Sequence, residues 1–427
     1  MVAAMKVPAR AVRHRIAGAA VVTTLAAGVC LAVDGFEPAP SLKASGLLPA
    51  SLLKGPKHEV AEAVTSDGFL TAFTVTSAFG QWEAVDQEML EVRVAEVYAL
   101  DRMSEFSTSE VFAAAAARAA EQKAKAVANV VYDPVGTAKA LPGGIARFAK
   151  GVGRSVKGSA DRVMAAKDER GPDTRTTEAK AMDAASAAGG AAENLLISSK
   201  RREWAAKIGA DPYTSNELLA KKLDDVAWAA YAGGFALNVA MPVVPGLGLV
   251  EAADQLVYQL PPGELQKRND EALKAAGLGD AARKALFLNR NFTPTLQTEF
   301  VKAVAALGAA TGKGEVVALA AESKTEGDAR YIRRCVQLLA AGAKEVGGWK
   351  ALTTGENEIE AVASDGRLVL PWSVDYMTWN AGTAPEESPP VKAATTREVW
   401  VTGVATARAK DELRARGFAV IERRPLR

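Results

Sequence analysis

The stretch 397–424, REVWVTGVATARAKDELRARGFAVIERR, decides the fold class. Its opening run is strand-like, rich in β-branched and aromatic residues. Thr406 then stands where a helix would be capped, and Gly417 where a helix C-terminus would close. A second strand-like run, FAVI, follows. Strand, helix and strand make a compact βαβ-like unit. Working upstream, APEESPPVKAAT reads as a linker, and 348–380 carries short β-like runs with SDG as a hairpin signal. Residues 348–427 are therefore expected to form a C-terminal β-rich unit.

Further upstream the texture turns helical, over about 107–347. SEVFAAAAARAAEQKAKAVANVV is alanine-rich, with strong helix propensity, and Asp133-Pro134 stops it. AENLLISSKRREWAAKIG predicts a helix ending at Gly209. Asp211-Pro212 makes a turn, and Thr214, Ser215 or Asn216 caps the next helix. TPTLQTEFVKAVAALG and EGDARYIRRCVQLLAAG are further amphipathic helices. Residues 168–190 are small and polar, which suits an exposed connection. Before this middle, 55–106 reads as a small β unit: TSDG and SAFG are turns between FLTAFTVTS and QWEAV. From Met89, the spacing of Leu90, Val94, Val97 and Leu100 is helical. The fold class is α+β: a predominantly helical middle with small β-containing units at both ends.

The N-terminus has the layout of a secretory signal peptide over 1–33. Arg10, Arg13 and Arg15 precede an uncharged run from Ile16 to Val33. Cleavage between Ala27 and Val33 would deliver the chain to the periplasm or the exterior; an uncleaved anchor through 16–33 is the alternative. Val29 before Cys30 is too large for an ordinary lipobox. Residues 34–54 hold three prolines and no clear period, so they read as a linker. The chain has 52 basic and 50 acidic residues, and the leader removes four basic ones, leaving 48 against 50. That near-neutral balance argues against nucleic acid. Cys335 becomes the sole cysteine, so no intramolecular disulfide can form. About 390 residues call for two or more packing units.

Candidate chemistry is sparse. Only His58 survives leader removal, and GPKHEV suggests a loop position at the surface. A histidine triad or an ordinary zinc site is therefore not expected, nor is a cofactor. GAATGKGE has three residues between Gly308 and Gly312 where a phosphate loop needs four, and Gly314 after Lys313. It reads as an interhelical turn, and nucleotide binding is not expected. Two-carboxylate chemistry stays open, although no pair of acids stands out. Asp224 and Asp225 are adjacent on a helix and expected to be solvated. Residues 226–250 carry no charge, but Pro242, Pro245, Gly246 and Gly248 break the second half. A buried helix ending at Met241 fits better than a membrane hairpin. Trp349, Trp372 and Trp379 cluster in the C-terminal unit, where filling a core is the commoner use.

One stretch offers a contact surface. In 141–164, Ile145, Phe148, Val152, Val156 and Val163 fall within about 80° on a helical wheel. Arg147, Lys150, Arg154 and Lys157 occupy the opposite face. A basic amphipathic helix of this kind lies on a membrane or on a protein core. Gly151, Gly153 and Gly158 cost it about 3 kcal/mol relative to alanine, which favours the core.

DPVGTAKALPGGIARF, GADPYTSNELLAKKLDDVAWAAYAGGF and REVWVTGVATARAKDELRARGFAV together resemble an uncharacterised family of exported bacterial proteins. The resemblance covers most of the chain from about Leu53. It implies export and one shared architecture, and it carries over no functional residue. The expected role is that of an envelope or secreted protein that binds or supports. The alternatives are a carboxylate-based hydrolase of cell-wall or extracellular polymer, and a peripheral membrane protein.

Overall fold

A computed structural model describes residues 35–107, 112–118, 196–233, 255–355, 358–384 and 396–426. The architecture is α+β, with a helical middle and strand-bearing units at both ends. The N-terminal sheet holds β1 (Leu42–Lys43), β2 (His58–Val60), β3 (Ala63–Ser66), β4 (Thr71–Ser77) and β5 (Gly80–Val85), all antiparallel. β4 lies between β5 on one edge and β3 and β2 on the other. Alternation sends Thr71, Phe73 and Val75 of β4 inward. Helix α1 (Gln87–Ser107) covers them and buries Leu90, Val94, Val97 and Leu100, the positions its spacing predicts.

The segment expected to be a linker is built into this unit. Leu42 and Lys43 pair with β3, and two single-turn helices follow, Ala44–Leu47 and Ala50–Leu53. They bury Ala44, Leu48 and Leu52 in the β-unit core. Pro49 is the N-cap of the second turn rather than part of a free chain. His58 also departs from expectation. It is the first residue of β2 and is buried, with its ring nitrogens 3.1 Å from Leu52 O and 3.2 Å from Tyr98 Oη. Burial pushes its pKa down.

In the middle, a helix over 196–208 stops at Gly209, and α2 (Glu217–Gly233) starts beyond the Asp211-Pro212 turn. Asn216 is the capping residue, since its Oδ1 accepts from Leu219 N at 3.2 Å. Helices α3 (Pro262–Ala275), α4 (Asp280–Leu288), α5 (Pro294–Ala306), α6 (Lys313–Ala321) and α7 (Glu326–Gly342) follow. Their core runs through Leu286, Phe300, Val317 and Leu339. GAATGKGE is the turn between α5 and α6. Lys313 Nζ donates to Gly308 O at 2.6 Å, which ties the lysine into its own loop. Thr311 bridges in parallel to Ala351 of the C-terminal sheet. Among the described residues no helix is long and apolar enough to cross a membrane.

The C-terminal sheet has the order β12-β10-β8-β7-β6, from β6 (Trp349–Thr354), β7 (Ile359–Ala363), β8 (Arg367–Trp372), β10 (Thr396–Val401) and β12 (Phe418–Ile421). β8, β10 and β12 are parallel; β7 pairs antiparallel with both its neighbours. A small parallel pair, β9 (Tyr376–Met377) and β11 (Val404–Ala405), lies beyond. Thr406 caps α8 (Ala407–Ala415) by accepting from Ala409 N, and Gly417 follows with a φ of +82°. One face of the sheet packs Trp349, Val369 and Trp400 on the helical middle. The other packs Leu370, Trp372 and Val399 with Ala409 and Leu413 of α8. Trp349, Trp372 and Trp379 are all buried.

The two end units form separate sheets and meet, among other places, at the β3–β4 turn. The β3–β4 turn sets Gly68 O and Phe69 O against the amides of Thr378 and Asp375, at 2.9 and 3.2 Å. Gly68 has a φ of +83°, and a Cβ there would fall 2.1 Å from Thr378 Oγ1. Gly68→Ala combines a forbidden contact with backbone strain, at a cost of about 1–3 kcal/mol. Limited proteolysis should then cut first within 66–70; a digestion pattern unchanged from wild type would contradict this docking.

Candidate functional site

The residues singled out as a contact surface, Ile145, Arg147, Phe148, Lys150, Val152, Arg154, Val156 and Lys157, lie outside the described residues. So do the leader, the polar connection 168–190, and residues 234–250 with the helix end expected at Met241. What the described chain assembles instead is a buried centre of arginines and carboxylates.

Its scaffold is α7. Thr325 and Asp328 form a capping box: Asp328 N donates to Thr325 Oγ1 at 3.1 Å and Thr325 N to Asp328 Oδ2 at 2.9 Å. Arg330, Arg333 and Arg334, at i, i+3 and i+4, then lie on one face. All three are buried, at 8, 3 and 5% exposure. Such burial is sustainable only with paired charges.

Five acids from four parts of the chain supply the pairing. Glu88, in the first turn of α1, sits among all three arginines: it takes both oxygens to Arg333 Nη2 and lies 3.5 Å from Arg330 Nη1 and Arg334 Nε. Glu299 of α5 accepts from Arg333 Nη1 at 2.8 Å, and Glu326 of α7 from Arg330 Nη2 at 2.8 Å. Asp86, just before α1, lies 3.0 Å from Arg334 Nη1. Asp375, after β8, lies 3.9 Å from Arg334 Nη2 and accepts from Thr71 Oγ1 of β4 at 2.7 Å. Arg334 is thus held by charge more than by aligned hydrogen bonds, because its Nε and Nη1 lack a well-directed acceptor.

Asp86 has a second duty. Its Oδ1 accepts from Met89 N at 2.7 Å, capping α1, and its own N–H donates to Thr71 O at 2.7 Å. Its φ is +75°, a left-handed conformation that aspartate tolerates better than most residues. A polar hub extends the centre along α1. Glu96 accepts from Arg93 Nη1 at 2.6 Å, from Asn216 Nδ2 at 3.1 Å and from Thr214. Asp211 accepts from Thr295 Oγ1 at 2.7 Å. The DPYTSN segment, read only as a helix boundary, therefore also joins α2 to α1 and α5.

Burial pushes Asp86 up to about 6: Arg334 pulls it down, while the nearby Glu88 and Asp375 charges add to the rise. Burial would raise Glu88 too, but Arg333, Arg330 and Arg334 outweigh it and hold that carboxyl at about 2. Burial also raises Glu299 and Asp211. Two carboxyls pushed apart is the pattern of an acid and base pair. Here, however, each is engaged by arginine or backbone and closed off. Surface cavities of about 560 Å³ beside Gly308 and Lys313, and about 460 Å³ beside Lys54 and Glu59, share no lining residue with the centre. Among the described residues, no group of three or more His, Cys, Asp and Glu side chains is placed to hold a metal ion. Cys335 is buried and unbridged, and burial pushes its thiol up to about 11, far from a nucleophile's range. Asp224, expected to be solvated, is about half exposed and paired with Arg201.

No family model, curated protein or solved structure matches the chain.

The centre makes stability depend on pH in two opposite ways. Asp86 is raised from 3.8 to about 6, so the folded state binds its proton more tightly; stability grows as pH falls from about 7 towards 4. Glu88 is lowered from 4.5 to about 2, so its contribution is present above 4.5 and is lost as pH falls from there towards 2. Asp86→Asn keeps the helix cap and mimics the protonated acid. Its urea midpoint relative to wild type should shift in the variant's favour between pH 4.5 and 7.5. A difference that stays constant across that range would show that Asp86 titrates normally.

Proposed function

We propose that the chain is an exported bacterial protein that acts without catalysis, as a binding or structural component of the envelope or the secreted fraction. The observation that carries this reading is the use made of the buried acids. Asp86, Glu88 and Glu299 are carboxylates whose proton affinity burial and neighbouring charge have shifted. Their partners are arginines that tie the two β units to the helical middle. A polymer hydrolase would need two acids facing a cleft; here they serve cohesion. The leader-like N-terminus supports export. A lone buried thiol also suits an oxidising compartment, where an exposed one would be a liability.

Association with a membrane surface is the second reading, favoured by the basic amphipathic pattern centred on Phe148. Fractionation of cells expressing the full chain, with intact-mass analysis, separates the two. The expected species is soluble, outside the cytoplasm, and shortened at a site within 27–33. A full-length or acylated species held in the membrane would reject it and make 141–164 the working surface.

A further inference from the structure

The first described residues, Gly35, Phe36 and Glu37, do not trail away from the body. They are seated on the C-terminal unit, more than three hundred residues away in sequence. Glu37 Oε2 accepts from Trp379 N at 2.6 Å and from Thr406 Oγ1 at 2.7 Å. Glu37 N donates back to Trp379 O at 2.8 Å. The Phe36 ring lies against Trp379, with centroids 6.4 Å apart, and Arg408 donates to Gly35 O. Arg416 covers the Trp379 ring at 4.4 Å.

Each contact answers a different chemical feature of the segment. Thr406 uses its hydroxyl twice: it accepts from Ala409 N to cap α8 and donates its own proton to Glu37. A carboxylate is thereby placed at the positive end of a helix. Trp379 offers its amide, its carbonyl and its ring to three successive features of the segment. Gly35 is exposed and Phe36 and Glu37 are half-buried, with Phe36 packed at the edge of the core formed by Trp372, Met377 and Trp379.

We propose that Trp379, Thr406, Arg408 and Arg416 form a recognition cleft for an extended Gly-Phe-Glu peptide segment, and that residues 35–37 are its ligand in cis. The cleft recognises an aromatic residue followed by a carboxylate. It is completed by a unit more than three hundred residues downstream and holds the segment next to the expected leader. The segment is thus captured only once that unit has folded.

The test uses the full chain and hydrogen exchange at the Trp379 amide. Phe36→Ala with Glu37→Ala should speed that exchange at least tenfold and leave β8 and β10 protected. An end-blocked peptide of residues 34–38, added at millimolar concentration, should restore the protection. The same peptide with both substitutions should not. Unchanged exchange in the variant, or no restoration by the wild-type peptide, would overturn the proposal. Should the double variant lose protection everywhere, the single Glu37→Gln variant decides. Loss confined to the Trp379 amide supports a detachable ligand, and loss spreading to β8 and β10 makes the segment ordinary core.

Discussion

Three arginines on one helix face must be neutralised inside the protein, and that requirement organises the molecule. Arg330, Arg333 and Arg334 are nearly sealed from water. A single uncompensated guanidinium there would cost several kcal/mol. The partners come from the start of α1, from α5, from α7 itself and from the loop after β8. Satisfying α7 therefore fixes where both β units sit. Hydrophobic burial also crosses between the units: Trp349, Val369 and Trp400 of the C-terminal sheet share a cluster with Phe300 and Leu339, and Leu100 of α1 shares one with Trp204 and Leu219. The charges add a directional constraint to those apolar contacts.

The same constraint explains the turn contacts between the end units. Asp375 bonds both the hydroxyl and, at 3.3 Å, the amide of Thr71, and it shares Arg334 with Asp86. The β3–β4 turn beside it approaches Thr378 and Asn380 so closely that only glycine fits at position 68. A buried ionic centre of this kind adds less to net stability than an apolar one of equal volume would. Its value lies in a unique arrangement, and its cost is visible at Asp86, which is strained, buried and raised towards neutral pH.

Local features were legible in the sequence because their causes are local. Thr406 and Gly417 bound α8, TSDG and SDG mark hairpins, and Leu90, Val94, Val97 and Leu100 mark the buried face of α1. The tertiary centre was not. EGDARYIRRCVQLLAAG has the period of an amphipathic helix, and its arginines fall where a solvated face is the usual outcome. What overturns that outcome is the pair of acids at 86 and 88, far away in sequence and unremarkable as a motif. The signal that could have been weighed is density: three arginines within five positions, interleaved with Tyr331, Ile332 and Cys335. The 34–54 segment was misread for a related reason. Its prolines mark turns between short packed pieces, and no periodic pattern survives in pieces so short. His58 stands at the strand entry expected of it, and it looked superficial only because the polar flank GPK gives no sign of Leu52 and Tyr98 closing over the ring. The docking of Phe36 and Glu37 has no local signal, since Trp379 and Thr406 are brought to it only by the folded C-terminal unit.

The most direct test of the arginine centre is native-state hydrogen exchange on Arg333→Ala. This variant removes the arginine partner of Glu299 and the nearest of the three around Glu88, while leaving the hydrophobic clusters intact. The account predicts a coordinated loss of protection at the start of α1 and in α5, because Arg333 joins Glu88 of the one to Glu299 of the other. Loss confined to the turns of α7 flanking position 333 would contradict it and reduce the centre to a local packing detail.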